Sequence, residues 1–260
     1  MNNKMNKNSI GCVNTLTSKA KYQSDPLSVY HLLCHEKSHS ILLESAEIDK
    51  KHLLKSLLLT DAAVKIVCNG NTVRFTPLSL NGKAAVDYAA RQLAEQANLS
   101  YQADSSLIAK FPEVATELDE KARLMAKNPF ESLRLFNHLK NIDNHPFAVF
   151  LGGVFAFDMI SISENLPKVP DGENTCSDFV YYLAETLVII DHELASTEII
   201  ANVFTGPEQQ QCTEQMKQRV VEIKEQLQQP ITSEQIDSAV TSNTANKANK
   251  ANKAKKENIA

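Results

Sequence analysis

Two pairs of β-prone segments, each pair joined by a polar turn, constrain the fold of this chain most strongly. The first pair lies in VKIVCNGNTVRFTPL, where Asn69, Gly70 and Asn71 separate two runs rich in β-branched and aromatic residues. Asn and Gly tolerate the positive φ angles of a tight turn, so this segment predicts a hairpin. The second pair, DFVYYLAETLVIID and STEIIANVF, flanks His192 and Glu193 and predicts a longer antiparallel hairpin.

Helical periodicity accounts for much of the remaining sequence. A short helix is predicted for SVYHLL and a longer one for Gly82 to Ala97. A third is predicted from Pro129, with an apolar stripe at Leu135, Leu139 and Ile142 that His145 and Pro146 end. Pro207 opens the last predicted helix, whose apolar residues recur every three or four positions. They are Cys212, Met216, Val220, Ile223 and Leu227. Hairpins mixed with helices, without regular βαβ alternation, predict an α+β fold with packed helices and a mostly antiparallel sheet, of which a sandwich is one arrangement.

The segment LLESAEIDKKHLLKSLLL is where a strand and a helix are predicted to meet. SILLESA is compact and apolar enough for a strand, and Asp49 can N-cap a helix over Lys50 to Leu59, whose leucines fall on one side. Glu44, Ser45 and Lys55 then stand at the strand end, in the turn and on the helix.

These three polar residues have two interpretations. In the first they are a strand end, a turn and a helix surface, with Glu44 and Lys55 paired at the rim. In the second they bind a free amino acid, because its carboxylate requires Lys, Ser or backbone N–H donors and its ammonium requires a carboxylate or carbonyl groups. Sequence pattern alone favours the first.

Composition limits the class of protein. At 260 residues with 43% apolar side chains the chain can bury a sizeable core, and its net charge of -4 gives no general reason to bind nucleic acid or an acidic membrane. Its five cysteines are scattered without a CxxC pair, which favours a reducing compartment. The longest apolar run, FAVFLGGVFAF, is too short to span a membrane, and no secretory signal is recognisable. We therefore expect a soluble, cytoplasmic protein.

Polarity divides the chain into three parts. Residues 1–21 are predicted to be a polar N-terminal arm and residues 22–230 the folded domain. Residues 231–260 contain three consecutive Asn-Lys-Ala triplets and too little apolar surface to offset the entropy of ordering, so they predict a disordered low-complexity tail.

Candidate metal and nucleotide sites are weak. His31, Cys34, His35 and His39 are zinc-ligand types, but their spacing fits no structural zinc template, and a helix end with solvated histidines is favoured. Gly152–Gly153 lacks the continuation of a phosphate-binding loop, so close backbone packing is favoured there. The sequence therefore predicts no metal ligand and no catalytic residue.

Several motifs together resemble a known family. LLESAEID followed by LKSLLLTDAA, then FLGGVFAFDMI with ENLP, and above all DFVYYLAETLVIIDHE, resemble the N-terminal region of anthranilate synthase component I, the large subunit of the first enzyme of tryptophan biosynthesis. The resemblance runs from about Tyr22 to Gln228 in order and spacing. It implies that Leu43, Glu44, Ser45 and Lys55 bind the feedback inhibitor L-tryptophan. It departs from the family at Phe157, where relatives often have Tyr.

The resemblance also implies an activity for the complete enzyme. That enzyme, a lyase, converts chorismate and glutamine-derived ammonia to anthranilate and pyruvate, with magnesium as cofactor and a glutamine amidotransferase subunit as partner. This chain is expected to lack the chorismate-binding catalytic region with its magnesium ligands, and so to be the regulatory part, inactive alone and without a cofactor. Two alternatives remain: a stand-alone tryptophan-sensing module, and the N-terminal region of an aminodeoxychorismate synthase, which the LLES and KSLLL elements disfavour.

Overall fold

The structure, a computed structural model, describes residues 11–35, 37–44, 55–113, 119–162, 172 and 175–228. Its strands are β1 Cys12–Ala20, β2 Ile41–Glu44, β3 Lys55–Asn69, β4 Thr72–Pro77, β5 Asn98–Tyr101, β6 Leu107–Lys110, β7 Lys140–Asn141, β8 Leu151–Phe155, β9 Phe179–Asp191 and β10 Ser196–Phe204. Its helices are α1 Pro26–Cys34, α2 Leu80–Leu93, α3 Glu120–Met125, α4 Glu131–Arg134 and α5 Gln209–Gln228, with 3-10 turns at Leu135–His138 and Phe157–Ile162.

The strands of the described residues join one sheet in the order β5-β6-β4-β3-β9-β10-β1-β7, with β2 added beside β3 and β8 beside β9. The pairings are antiparallel except for the short contact between β1 and β7. The α+β prediction is confirmed, and the strands form one curled sheet and not two facing ones.

The centre of the sheet is the long antiparallel pair β3 and β9. It runs from Lys55 opposite Asp191 to Cys68 opposite Phe179, with a shift in register around Asp61. Both faces of these strands are covered over most of their length, which explains why both read as nearly continuous apolar runs.

Helices cover the sheet unevenly. On one face α1 and α5 bury Val29, Leu33 and the apolar stripe of α5 against β9 and β10, as the spacing of that stripe predicts. A second cluster gathers α2 and Phe136 around Phe75. The opposite face of β3, β9 and β10 is covered in part by Phe147 and Phe150. Burying one large apolar side chain completely contributes about 1.5–3 kcal/mol to stability.

The helix predicted over Lys50 to Leu59 is wrong for the part that the structure describes. Residues 55–59 open β3, and Asp49 and residues 50–54 lie outside the described residues. Leucines at adjacent positions are compatible either with one face of a helix or with a strand that is buried on both sides. Leu58 and Leu59 point to opposite faces of the sheet and are 0% and 1% exposed. The strand forms because the rest of the fold covers both of its faces.

The polar arm predicted for residues 1–21 is also wrong in part. Residues 12–20 form β1, which pairs along its length with β10 from Val13 opposite Phe204 to Ala20 opposite Thr197. This strand is buried mainly on one side near its start, so its sequence is more polar than that of β3. The predicted tail, residues 231–260, lies outside the described residues.

Other local predictions are confirmed. The first hairpin turns at Gly70, whose φ is 58°, and β9 and β10 form the second hairpin. The helix predicted from Pro129 is wrong beyond His138, because α4 passes into a 3-10 turn that ends there and Lys140–Asn141 form β7. At Gly153 a Cβ would lie 2.2 Å from the Val180 carbonyl oxygen, so this glycine serves close packing of β8 on β9.

Candidate functional site

An ion pair marks the place where β3 begins and β9 ends. Lys55 and Asp191 are register partners, and the Lys55 Nζ lies 3.2 Å from the Asp191 Oδ2. The Lys55 side chain is 53% exposed and the Asp191 side chain 13%. The pair therefore sits at the rim of the sheet with its cation open to solvent.

The β9–β10 turn holds Asp191 in place. Its Oδ1 accepts hydrogen bonds from the backbone N–H groups of Glu193, at 3.1 Å, and Leu194, at 2.9 Å, and Ala195 ends the turn with a φ of 45°. The Leu194 hydrogen bond and the Lys55 ammonium hold the pKa of Asp191 below its usual value, against the effect of burial. Asp191 is thus a fixed negative charge at neutral pH.

A hydrogen-bonded chain lies on the opposite face of the same strand ends. The Ser56 hydroxyl is 3.0 Å from His192 Nε2, and the Tyr22 hydroxyl is 3.1 Å from His192 Nδ1. Ser56 is buried, so its hydroxyl requires this partner. The chain connects the turn after β9 to the segment between β1 and α1.

Strand β2 brings two further predicted residues to this end of the sheet. Leu43 is the partner of Leu57 and Glu44 is the partner of Ser56. Because side chains alternate along a strand, Leu43 and Lys55 lie on one face of the sheet and Glu44 on the other, with Ser56. Leu43 is 42% exposed, which leaves an apolar surface on the Lys55 face.

The four residues predicted for the site are therefore only partly brought together. Leu43 and Lys55 share a face, Glu44 lies on the opposite face at the same end, and Ser45 lies outside the described residues. The cation of Lys55 is paired with Asp191 and not with Glu44 as the rim interpretation expected.

Sequence reasoning missed Asp191, His192 and Tyr22 as neighbours of this site. The polar residues at the second hairpin turn were visible, but their position beside Lys55 depends on the pairing of β3 with β9, two strands more than 100 residues apart along the chain. No local periodicity encodes that pairing.

The histidines and cysteine considered for zinc do not assemble. Within the part of the chain that the structure describes, no three His, Cys, Asp or Glu side chains are grouped to hold a metal ion. Cys34 is buried in the α1–α5 cluster, and burial raises the pKa of its thiol to about 11. It is therefore a protonated core side chain at neutral pH.

Among the described residues, none of the helices is both long and apolar enough to cross a bilayer.

The arrangement of these side chains suits binding of a small charged ligand better than it suits catalysis. A half-exposed ammonium, a fixed carboxylate and an exposed leucine lie together on one face. An ammonium and a carboxylate side by side complement the charges of a zwitterion, and the leucine offers an apolar contact.

Comparison with known proteins gives consistent relatives. No family model matches the chain. It is 38% identical over 248 residues to the anthranilate synthase component 1 of Vibrio cholerae, which covers 94% of the chain and 47% of the relative. The proteins of the same name from Escherichia coli and Salmonella typhimurium are each 38% identical, over 82% and 83% of the chain. The chain spans 40% and 41% of those two relatives, so it corresponds to less than half of each of the three.

Proposed function

Since the chain belongs to the anthranilate synthase component 1 family, we propose that it is the tryptophan-binding, regulatory part of such a component. The complete component, with a glutamine amidotransferase subunit, would form anthranilate and pyruvate from chorismate and glutamine, and L-tryptophan would be its feedback inhibitor. Among the described residues, no group of three His, Cys, Asp or Glu side chains is placed to hold a metal ion such as magnesium.

The observation that carries the proposal is the open ammonium of Lys55 beside the exposed Leu43. A lysine ammonium has three N–H donors, and its contact with Asp191 uses one, which leaves donors for a ligand carboxylate. The exposed leucine lies on the same face, where it can contact an indole ring. Glu44 and Ser45 belong to the proposed site through the family resemblance.

Regulation requires more than binding. An inhibitor shifts an enzyme between conformations only when it binds one of them more tightly, and couplings of about 1–3 kcal/mol are usual. The ion pair connects the proposed ligand contact to the β9–β10 turn, whose two backbone amides are held by the same carboxylate. This turn is the element through which occupation of the site would be transmitted.

The composition of the chain provides a direct binding assay. The chain contains no tryptophan residue, so the fluorescence of added L-tryptophan, excited where tyrosine does not absorb, can be followed without a background from protein tryptophan. We expect a saturable change in its emission, with the same Kd by titration calorimetry. Lys55→Ala should weaken binding by about 1.5–3 kcal/mol, the range for a hydrogen bond to a charged group. Lys224→Ala, on the exposed side of α5, is the control.

Two outcomes would contradict the proposal. Emission that never saturates would show that the chain does not bind tryptophan. Equal affinity in the Lys55→Ala variant and the unaltered chain would show that Lys55 does not contact the ligand. Ser45→Phe tests the residue assigned by resemblance, since the added ring should fill the site and the lost hydroxyl should remove a donor. Unchanged affinity in that variant would remove Ser45 from the site.

A further inference from the structure

We propose that Asp191 makes the Lys55 site selective for zwitterionic amino acids against anions that carry a carboxylate alone. This inference rests on the proposed function, because it names the residue that sets specificity at the same site. Asp191 is a residue that the family motifs do not assign to the site.

Each charge of the ion pair keeps hydrogen-bonding capacity for a ligand. Asp191 Oδ1 accepts the two turn amides, while Oδ2 faces the Lys55 Nζ at 3.2 Å. A carboxylate oxygen accepts two hydrogen bonds, so Oδ2 retains one acceptor position. The Lys55 side chain is 53% exposed and the Asp191 side chain 13%, so the pair lies at the rim of the sheet with its cation facing solvent.

Charge balance gives the pair its selectivity. A ligand that carries only a carboxylate is attracted by Lys55 and repelled by Asp191, and the two charges are close enough that the repulsion offsets part of the attraction. A zwitterion can place its carboxylate toward Lys55 and its ammonium toward Asp191, so both contacts become favourable. Removing the Asp191 charge should therefore weaken binding of the zwitterion and leave binding of the simple anion unchanged or stronger.

The negative charge cannot move aside to admit an anion. The backbone amides of Glu193 and Leu194 fix one carboxylate oxygen, and the register of β3 on β9 fixes the position of the residue opposite Lys55. Side-chain alternation places Glu44 on the other face of the sheet, so Asp191 is the carboxylate that lies beside Lys55.

Two ligands and one variant test the inference in the 260-residue chain. L-tryptophan and indole-3-propionate share the ring and the carboxylate, and only tryptophan has the ammonium. Asp191→Asn keeps a side-chain oxygen for the turn amides and removes the charge. We expect the Kd for tryptophan to rise about 3- to 30-fold, while the Kd for indole-3-propionate stays the same or falls. The preference for tryptophan should fall accordingly.

A matched control lies two residues away. Glu193→Gln removes one negative charge from the same turn, at an exposed side chain, and should leave the preference for tryptophan over indole-3-propionate within about twofold. A loss of preference in Glu193→Gln equal to that in Asp191→Asn would overturn the inference, because net charge would then explain the effect.

A second variant keeps the inference testable if Asp191→Asn does not fold. Lys55→Met removes the cation at a half-exposed position and leaves Asp191 without its partner. Tryptamine, which has the ammonium and no carboxylate, should then bind about 3- to 10-fold more tightly than to the unaltered chain. Unchanged tryptamine affinity would overturn the inference, as would an unchanged ligand preference in Asp191→Asn. If the unaltered chain binds no tryptophan, the proposed function fails as well. If the unaltered chain binds tryptophan and Asp191→Asn keeps the same preference for tryptophan over indole-3-propionate, this inference fails and the proposed function stands.

Discussion

Arg219 of α5 donates from Nε to the Oδ2 of Asp61 in β3 over 3.0 Å, and so joins a helix to the sheet across 158 residues of sequence. Lys37, which follows α1, donates to the other oxygen of the same carboxylate. Asp61 stands where the pairing of β3 with β9 shifts in register. The carboxylate thus fixes two helical segments within the irregular stretch of the central strand pair.

Asp61→Asn should destabilise the fold in a pH-dependent way. Burial raises the pKa of Asp61, but the charges of Arg219 and then Lys37 outweigh burial and lower it below its usual value. A lowered pKa in the folded state contributes stability above the unfolded pKa of about 3.9, and that stability is lost as the pH falls through the folded pKa. We expect a loss of about 1–3 kcal/mol at pH 7.

Urea unfolding at pH 7 and at acidic pH measures this loss. The difference between Asp61→Asn and the unaltered chain should narrow as the pH falls. Glu214→Gln, which removes an exposed carboxylate paired with Lys217 on α5, should change stability less. A constant difference at every pH would show that the charge of Asp61 is not what stabilises the fold.

Glu185→Gln should have the opposite effect. Glu185 is 5% exposed, and burial raises its pKa, although hydrogen bonds from Ser79 at 2.6 Å and Asn81 at 3.0 Å oppose the shift. A folded state with the higher pKa binds its proton more tightly, so stability falls as the pH rises from the unfolded to the folded pKa. Glutamine keeps the accepting oxygen without the charge, and we expect a gain of about 1 kcal/mol at pH 7. Thermal unfolding should show this gain shrinking in acid, whereas a gain that grows in acid would show that the buried charge is not its cause.

Local sequence predicted those elements whose signal is local. The turn at Gly70 requires a positive φ, and the α5 stripe has a single buried face, so each pattern has one solution. Two segments were misassigned because other strands set their environment. Residues 55–59 pair with β2 and β9, and residues 12–20 pair with β10. For the same reason Lys55 could be named from the family motif, while its partner Asp191 could not.

Gly82→Ala should destabilise the chain although alanine favours helices. Gly82 lies in the first turn of α2, and a Cβ there would stand 1.9 Å from the backbone oxygen of Ala63 in β3. The strand backbone cannot move aside without breaking its pairing, so we expect a loss of about 1–3 kcal/mol beyond the gain in helix propensity. Gly172→Ala is the control, because a Cβ there meets nothing within 4 Å. Equal melting temperatures for the two variants would show that α2 can withdraw from β3 without cost.

Tyr22→Phe and Ser56→Ala should be coupled through His192. A neutral imidazole donates from one nitrogen and accepts at the other, so the two hydroxyl groups that flank His192 must take complementary roles. Each single variant should lose about 0.5–1.5 kcal/mol of stability. Once either hydroxyl is lost the ring is less restrained, so the double variant should lose less than the sum, by about 0.5 kcal/mol or more. Chemical denaturation of the four proteins in this cycle measures the coupling.

A control cycle replaces Tyr22→Phe with Tyr30→Phe, which removes a hydroxyl that contacts Ser40 Oγ at 2.9 Å and should be additive with Ser56→Ala. Additivity in both cycles would mean that His192 is held by its surroundings and that the hydroxyl groups on its two sides act independently.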